Sequence, residues 1–81
     1  MITAEQIRGG RALLRWSARH LADVSGVSWA TVQRMEAANG VPPGRSTSLE
    51  QVQRTLERAG IIFIDPEEGV GGPGVRLKED T

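Results

Sequence analysis

WSARHLADVSGVSWATVQRME, residues Trp16 to Glu36, has the composition of two short helices joined by a tight turn. Ser17 and Ser28 stand where a hydroxyl can satisfy the free amides that open a helix, so each is an N-cap. Gly26 ends the first helix, Ala18 to Ser25, because glycine adopts the left-handed conformation at no steric cost. Val27 then turns the chain inward. Leu21 and Ala22 on the first helix, Val27 in the turn, and Val32 and Met35 on the second fall on the sides that face each other. The two helices can therefore cross closely, and the second is set to present its first residues to a partner.

Outward from this stretch, composition narrows the function. A chain of 81 residues makes one small domain, which buries only about 60% of its unfolded surface. With no cysteine and one histidine, neither a disulfide framework nor a thiolate zinc site is available, and no metal or cofactor is expected. No apolar run approaches the ~20 residues of a membrane span, and the N-terminus lacks a signal-peptide profile, so a cytoplasmic protein is expected. No nucleophile and base are paired and no glycine-rich loop of the P-loop form is present, so an enzyme is not expected.

The zero net charge conceals a division along the chain. Residues 1–58 carry eight arginines (8, 11, 15, 19, 34, 45, 54 and 58) against five acids, a net of +3, whereas residues 59–81 carry Arg76 and Lys78 against five acids, a net of −3. Arginine is the fork-shaped cation that suits phosphates and guanine edges; the plainer reading is that these side chains only solvate helix surfaces.

The first helix should begin at Thr3, where Thr3 and Gln6 form a capping-box pair, and run to about Leu14. Ile7, Arg11 and Leu14 share one face, so Arg11 either finds a partner or extends its head to solvent. Gly9 and Gly10 each weaken a helix by up to ~1 kcal/mol relative to alanine, which points to a close backbone contact there. Trp16 reads as a core plug between helices 1 and 2, and His20 as an exposed helix residue. Asn39-Gly40 and Pro42-Pro43-Gly44 make Ala37 to Thr47 a loop. A fourth helix runs from about Ser48 to Ala59, with Leu49, Val52 and Leu56 on one face, and Gly60 ends it. Ile61 to Ile64 is short, β-branched and aromatic, and Val75 to Lys78 alternates apolar with basic; with the acidic, glycine-rich loop between them they read as a hairpin.

In Leu21-Ala22, Ser25-Gly26-Val27-Ser28, Thr31-Val32 and Met35-Glu36 the chain resembles the lambda-repressor-like, Cro-type (XRE) helix-turn-helix DNA-binding proteins, over roughly Ile7 to Gly60. The resemblance implies a mainly α fold, four helices of lambda-repressor-like helix-turn-helix type with a C-terminal β-hairpin in place of the family's usual fifth helix. It implies double-stranded DNA as the partner, with Trp29, Ala30, Gln33 and Arg34 meeting base edges and Ser28, Thr31, Arg45 and Ser46 meeting phosphates. Arg34 can take guanine O6 and N7 together, and Ala30 or Trp29 a thymine methyl. Ser46 or Thr47 can equally cap the fourth helix. The resemblance also makes Glu36 the first candidate partner for Arg11, as a structural ion pair. Ala18 replaces a frequent phosphate-binding glutamine, and Trp29 is unusual at its position.

The expected organisation is a DNA-binding domain over residues 1–60 and a hairpin and tail over 61–81 that joins two protomers. Ile61 and Phe63 should point one way along the strand and Ile62 and Ile64 the other, so one set at most covers the protomer's own helices. Ile61, Ile62, Phe63, Ile64, Val75 and Leu77 are accordingly the candidate homodimer interface. The expected function is a transcription regulator acting as a dimer on operator DNA. The alternatives are an antitoxin that binds its operator and, through the hairpin, a toxin, and an interaction module without DNA binding.

Overall fold

Thr3 closes the capping box that starts the chain's first helix: its hydroxyl accepts from Gln6 N at 3.1 Å while its own N–H donates to Gln6 Oε1 at 2.8 Å. Helix α1 (Ala4–Leu13) follows in the computed structural model, which describes residues 2–44 and 46–79. It ends in a paired-hydrogen-bond turn, with Trp16 N donating to Arg11 O and Arg15 N to Ala12 O, both at 3.0 Å. This is the Schellman arrangement, and its left-handed position is held by Arg15 at φ 59°, where glycine is usual.

Helix α2 (Ala18–Ser25) and helix α3 (Trp29–Ala37) are the two helices of the Trp16–Glu36 stretch. Ser17 Oγ accepts from His20 N at 3.0 Å and Ser28 Oγ from Thr31 N at 3.2 Å, so both serines are N-caps. Gly26 ends α2 at φ 74°. Leu21, Ala22, Val27, Val32 and Met35 are buried together, and Trp16 packs partly buried against them.

Helix α4 (Ser46–Arg58) contributes Leu49, Val52 and Leu56 to the same core. It starts at Ser46 rather than Ser48, because apolar spacing marks only the buried stripe and the opening Ser46-Thr47-Ser48 carries no apolar residue to signal it. Strands β1 (Ile61–Ile64) and β2 (Gly74–Leu77) pair antiparallel, Ile61 opposite Leu77 and Phe63 opposite Val75. The second strand thus lies one residue earlier than its alternation suggested. Among the described residues the fold is mainly helical, four helices and a two-stranded hairpin.

Helix α1 carries the hairpin on the face that its glycines leave open. A Cβ built on Gly9 would lie 3.0 Å from Val75 Cγ2, and one on Gly10 would lie 3.3 Å from Ile61 Cγ2. The helix-weakening glycines are where strand side chains press directly on the helix backbone. Gln6, 4% exposed, completes the joint: its Nε2 donates to Ile64 O at 3.1 Å and to Gly74 O at 2.9 Å. One amide side chain therefore caps α1 and ties both strands to it.

Opposed residues of an antiparallel ladder point to the same face. Ile61, Phe63, Val75 and Leu77 consequently share one face, and Ile62, Ile64 and Arg76 the other. Ile61 is 2% exposed, and Phe63 and Val75 pack partly buried against the core, so these three face the protomer's own helices. Of the six residues expected at an interface, Ile62 (43% exposed) and Leu77 (48%) are open to solvent, with Ile64 half-buried.

Candidate nucleic-acid interface

Successive residues of a helix turn by about 100°, so burial of Val32 and Met35 fixes which side of α3 faces outward. Ala30, Gln33, Arg34 and Ala37 lie opposite them and are exposed, with Trp29 (37% exposed) at one margin and Thr31 at the other. The four side chains expected to meet base edges, Trp29, Ala30, Gln33 and Arg34, thus lie on one continuous surface. The alanines keep its centre flat, and the long polar side chains stand at its sides.

The margins are organised differently. On one, Ser28 Oγ donates to Thr31 Oγ1 at 2.8 Å and Arg34 Nη2 donates to the same oxygen at 3.1 Å. Ser28 and Thr31 therefore hold Arg34 back along the helix, besides being exposed or half-exposed hydroxyls. Arg34 also borders a concavity that Pro43, Gly44 and Ser48 share, which brings the α3–α4 loop beside this margin. Arg45, expected to meet phosphate, lies outside the described residues, as does the Ser46 side chain. On the other margin the Arg19 guanidinium, from α2, lies 5.0 Å from the centroid of the Trp29 ring. His20 is exposed and meets the Trp16 ring edge-on, with centroids 4.8 Å apart.

Behind this surface, α3 is clamped to α1. Arg11 Nε donates to Glu36 Oε2 at 2.9 Å and Nη2 to Oε1 at 2.9 Å, while Nη1 donates to Trp16 O at 3.0 Å. The side chains of Arg11 and Glu36 are 24% and 10% exposed, so the pair is largely shielded. Arg8 donates to Glu36 O and to Ala38 O, carbonyls that the end of α3 leaves without helical partners. Glu5 accepts from Gly40 N at 3.1 Å, and Ala4 N donates to Gly40 O at 2.8 Å. Hydrogen bonds from its own backbone N–H and from Gly40 N, with the nearby Arg8 charge, hold the Glu5 carboxyl below its ordinary value.

This clamp divides the arginines that charge counting treats alike. Arg8 and Arg11 are engaged with the end of α3. Arg15, Arg19, Arg34, Arg54 and Arg58 are exposed and form no ion pair among the described residues. Nothing in the linear sequence marks Arg8 and Glu5 for this role, since their partners are backbone groups some thirty residues away. A cation one helical turn before Arg11 was the available signal.

Among the described residues no group of three His, Cys, Asp or Glu side chains is placed to hold a metal ion. No described helix is long and apolar enough to cross a membrane. No known protein family and no curated protein gives a match to this chain.

Proposed function

We propose that this chain is a sequence-specific, double-stranded-DNA-binding regulator of transcription, cytoplasmic, with a lambda-repressor-like helix-turn-helix over residues 1–60. The observation that carries the reading is the outward face of α3. It is flat at Ala30, polar at Gln33 and Arg34, and flanked at the Trp29 margin by Arg19, which makes no ion pair among the described residues. A B-DNA major groove is about 12 Å wide and admits one helix; the helix must offer donors and acceptors along one side and bring its amino end to the base edges. Two serine-capped helices meeting at Gly26 provide that presentation, and the clamp from Glu5, Arg8 and Arg11 fixes the angle of α3 from behind.

Occupancy of DNA needs no catalysis: phosphate contacts set orientation and most of the affinity, and base contacts set preference. Arg34, braced by Thr31, is the side chain suited to guanine. Ile62 and Leu77, exposed on the two opposite faces of the hairpin, leave apolar surface for a second copy of the chain, which would place two helices α3 on half-sites about one turn of DNA apart. The same exposed pair favours, as the second reading, an antitoxin whose hairpin binds a toxin.

Selection of bound fragments from a random duplex pool tests the function directly. The expected result is an enriched half-site, repeated with two-fold symmetry, and affinity that falls steeply with salt. Arg34→Ala should then flatten preference at one base pair, by ~1–3 kcal/mol. Uniform weakening of all sequences makes Arg34 a phosphate contact, and no binding at low salt refutes the function. Sedimentation of the free protein separates a homodimer from a monomer that awaits another protein.

A further inference from the structure

We infer that Arg19 is a phosphate-contacting residue and that Trp29 is its pedestal rather than a reader of bases. The inference rests on the DNA-binding reading and assigns the second margin of that surface. Arg19 is exposed near the start of α2, and its guanidinium lies over the Trp29 ring at 5.0 Å from the centroid. Asp23 stands one turn further along the same helix, at the spacing that ordinarily gives an ion pair. None forms between them among the described residues. The contact that the cation does make is with the ring.

That contact has a chemical consequence. A guanidinium held over an indole by the negative face of the ring forms no carboxylate pair there and keeps donors for another anion, whereas one paired with a carboxylate spends them. The contact with the ring therefore leaves the cation available to an anion and removes in advance part of the rotamer freedom that an exposed arginine would lose on binding. The target follows from the elements involved. In a helix-turn-helix the first helix of the pair crosses the sugar–phosphate backbone while the second enters the groove. Arg19 belongs to the first and Trp29 opens the second, so the stack straddles the groove edge with the cation on the phosphate side. An indole half-covered in this way has one face engaged and is poorly placed to meet a thymine methyl with it.

The test is a double-mutant cycle in DNA binding, with the full chain, the fragment selected from the duplex pool, and a scrambled duplex of the same length. Arg19→Ala should weaken both duplexes alike, by roughly three- to ten-fold at low salt, and lower the slope of log K against log salt by about one. Trp29→Leu, which keeps an apolar side chain but removes the ring, should reproduce both changes. The double variant should be no weaker than either single one beyond about two-fold, and Trp29→Phe should recover most of the loss. Unchanged melting curves verify that these surface substitutions leave the fold intact. If the two losses multiply, or if Trp29→Leu alters preference at a base pair while Arg19→Ala does not, the pedestal role is wrong though DNA binding stands. If the unmodified chain binds neither duplex, the inference and the function fall together.

Discussion

Removing Arg11 should unfold more of this protein's stability than any other single surface-to-interior contact, and the structure fixes the expected size and asymmetry. Arg11 supplies the side-chain donors that reach Glu36, at 2.9 to 3.2 Å, and Glu36 is 10% exposed. In Arg11→Ala the carboxylate is left shielded and unpaired, a loss of ~3–5 kcal/mol for a fully buried pair. Because the Arg11 side chain is 24% exposed, water reaches the vacated site, and about 2–4 kcal/mol is the appropriate range. A domain of this size loses about 4–8 °C of Tm per kcal/mol, so the midpoint should fall by roughly 8–32 °C. Glu36→Ala should cost less, about 1–2 kcal/mol, since Arg11 keeps its bond to Trp16 O and can extend its head into solvent. Urea titration followed by circular dichroism, on both single variants and on Arg11→Met with Glu36→Leu, measures the coupling. The double apolar replacement should be less damaging than Arg11→Ala alone. A shift under about 0.5 kcal/mol for Arg11→Ala, or equal costs for the two single changes, refutes the argument from a stranded charge.

Three further expectations follow from other parts of the fold. Arg15→Gly should stabilise the domain by about 1 kcal/mol, because a non-glycine residue at φ 59° is strained; a lower midpoint in thermal melting means that the arginine side chain compensates. Gln6→Leu should cost about 2–3 kcal/mol, since it removes the acceptor for Thr3 N and the donor to Ile64 O and Gly74 O, and amide exchange should accelerate in the hairpin along with α1; protection lost in α1 alone argues against the shared tie. The Glu5 carboxyl is held below its ordinary value, so its contribution is complete above the unfolded value of about 4.3 and is lost as pH falls through the lowered folded value; Glu5→Gln should flatten stability against pH in that acid window, which urea midpoints from pH 2 to 6 would measure.

What could be read in the chain was whatever has a local cause. Thr3 with Gln6, Ser17, Ser28 and Gly26 act within one turn of their own backbone, and the spacing of Leu49, Val52 and Leu56 states a helix face without reference to anything else. The pairing of Arg11 with Glu36 was suggested by resemblance, since their separation of twenty-five residues has no local signature. Residues whose partners are distant backbone groups left no trace. Arg8 looks like a solvated cation until the end of α3 is placed beside it, and Gln6 looks finished once it has closed a capping box. The hairpin shows the same limit. Alternation divided its side chains into two sets, but only the glycines of α1, pressed against Ile61 and Val75, reveal which set is inside. On the outward side of α3, nothing in the sequence joins Trp29 to Arg19.

The double duty of Gln6 also orders events in time. The carbonyls it holds lie 58 and 68 residues downstream, and the side chains that fill the space over Gly9 and Gly10 come from the same two strands. A chain growing from its amino end makes α1 first and the groups that cover it last. Helix α1, weakened by two glycines, gains its clamp to α3 once residue 40 is available, but the cover over Gly9 and Gly10 waits for residues 61 and 75. The four helices can therefore associate before the hairpin docks, with the face of α1 over Gly9 and Gly10 the part of the core that is covered last.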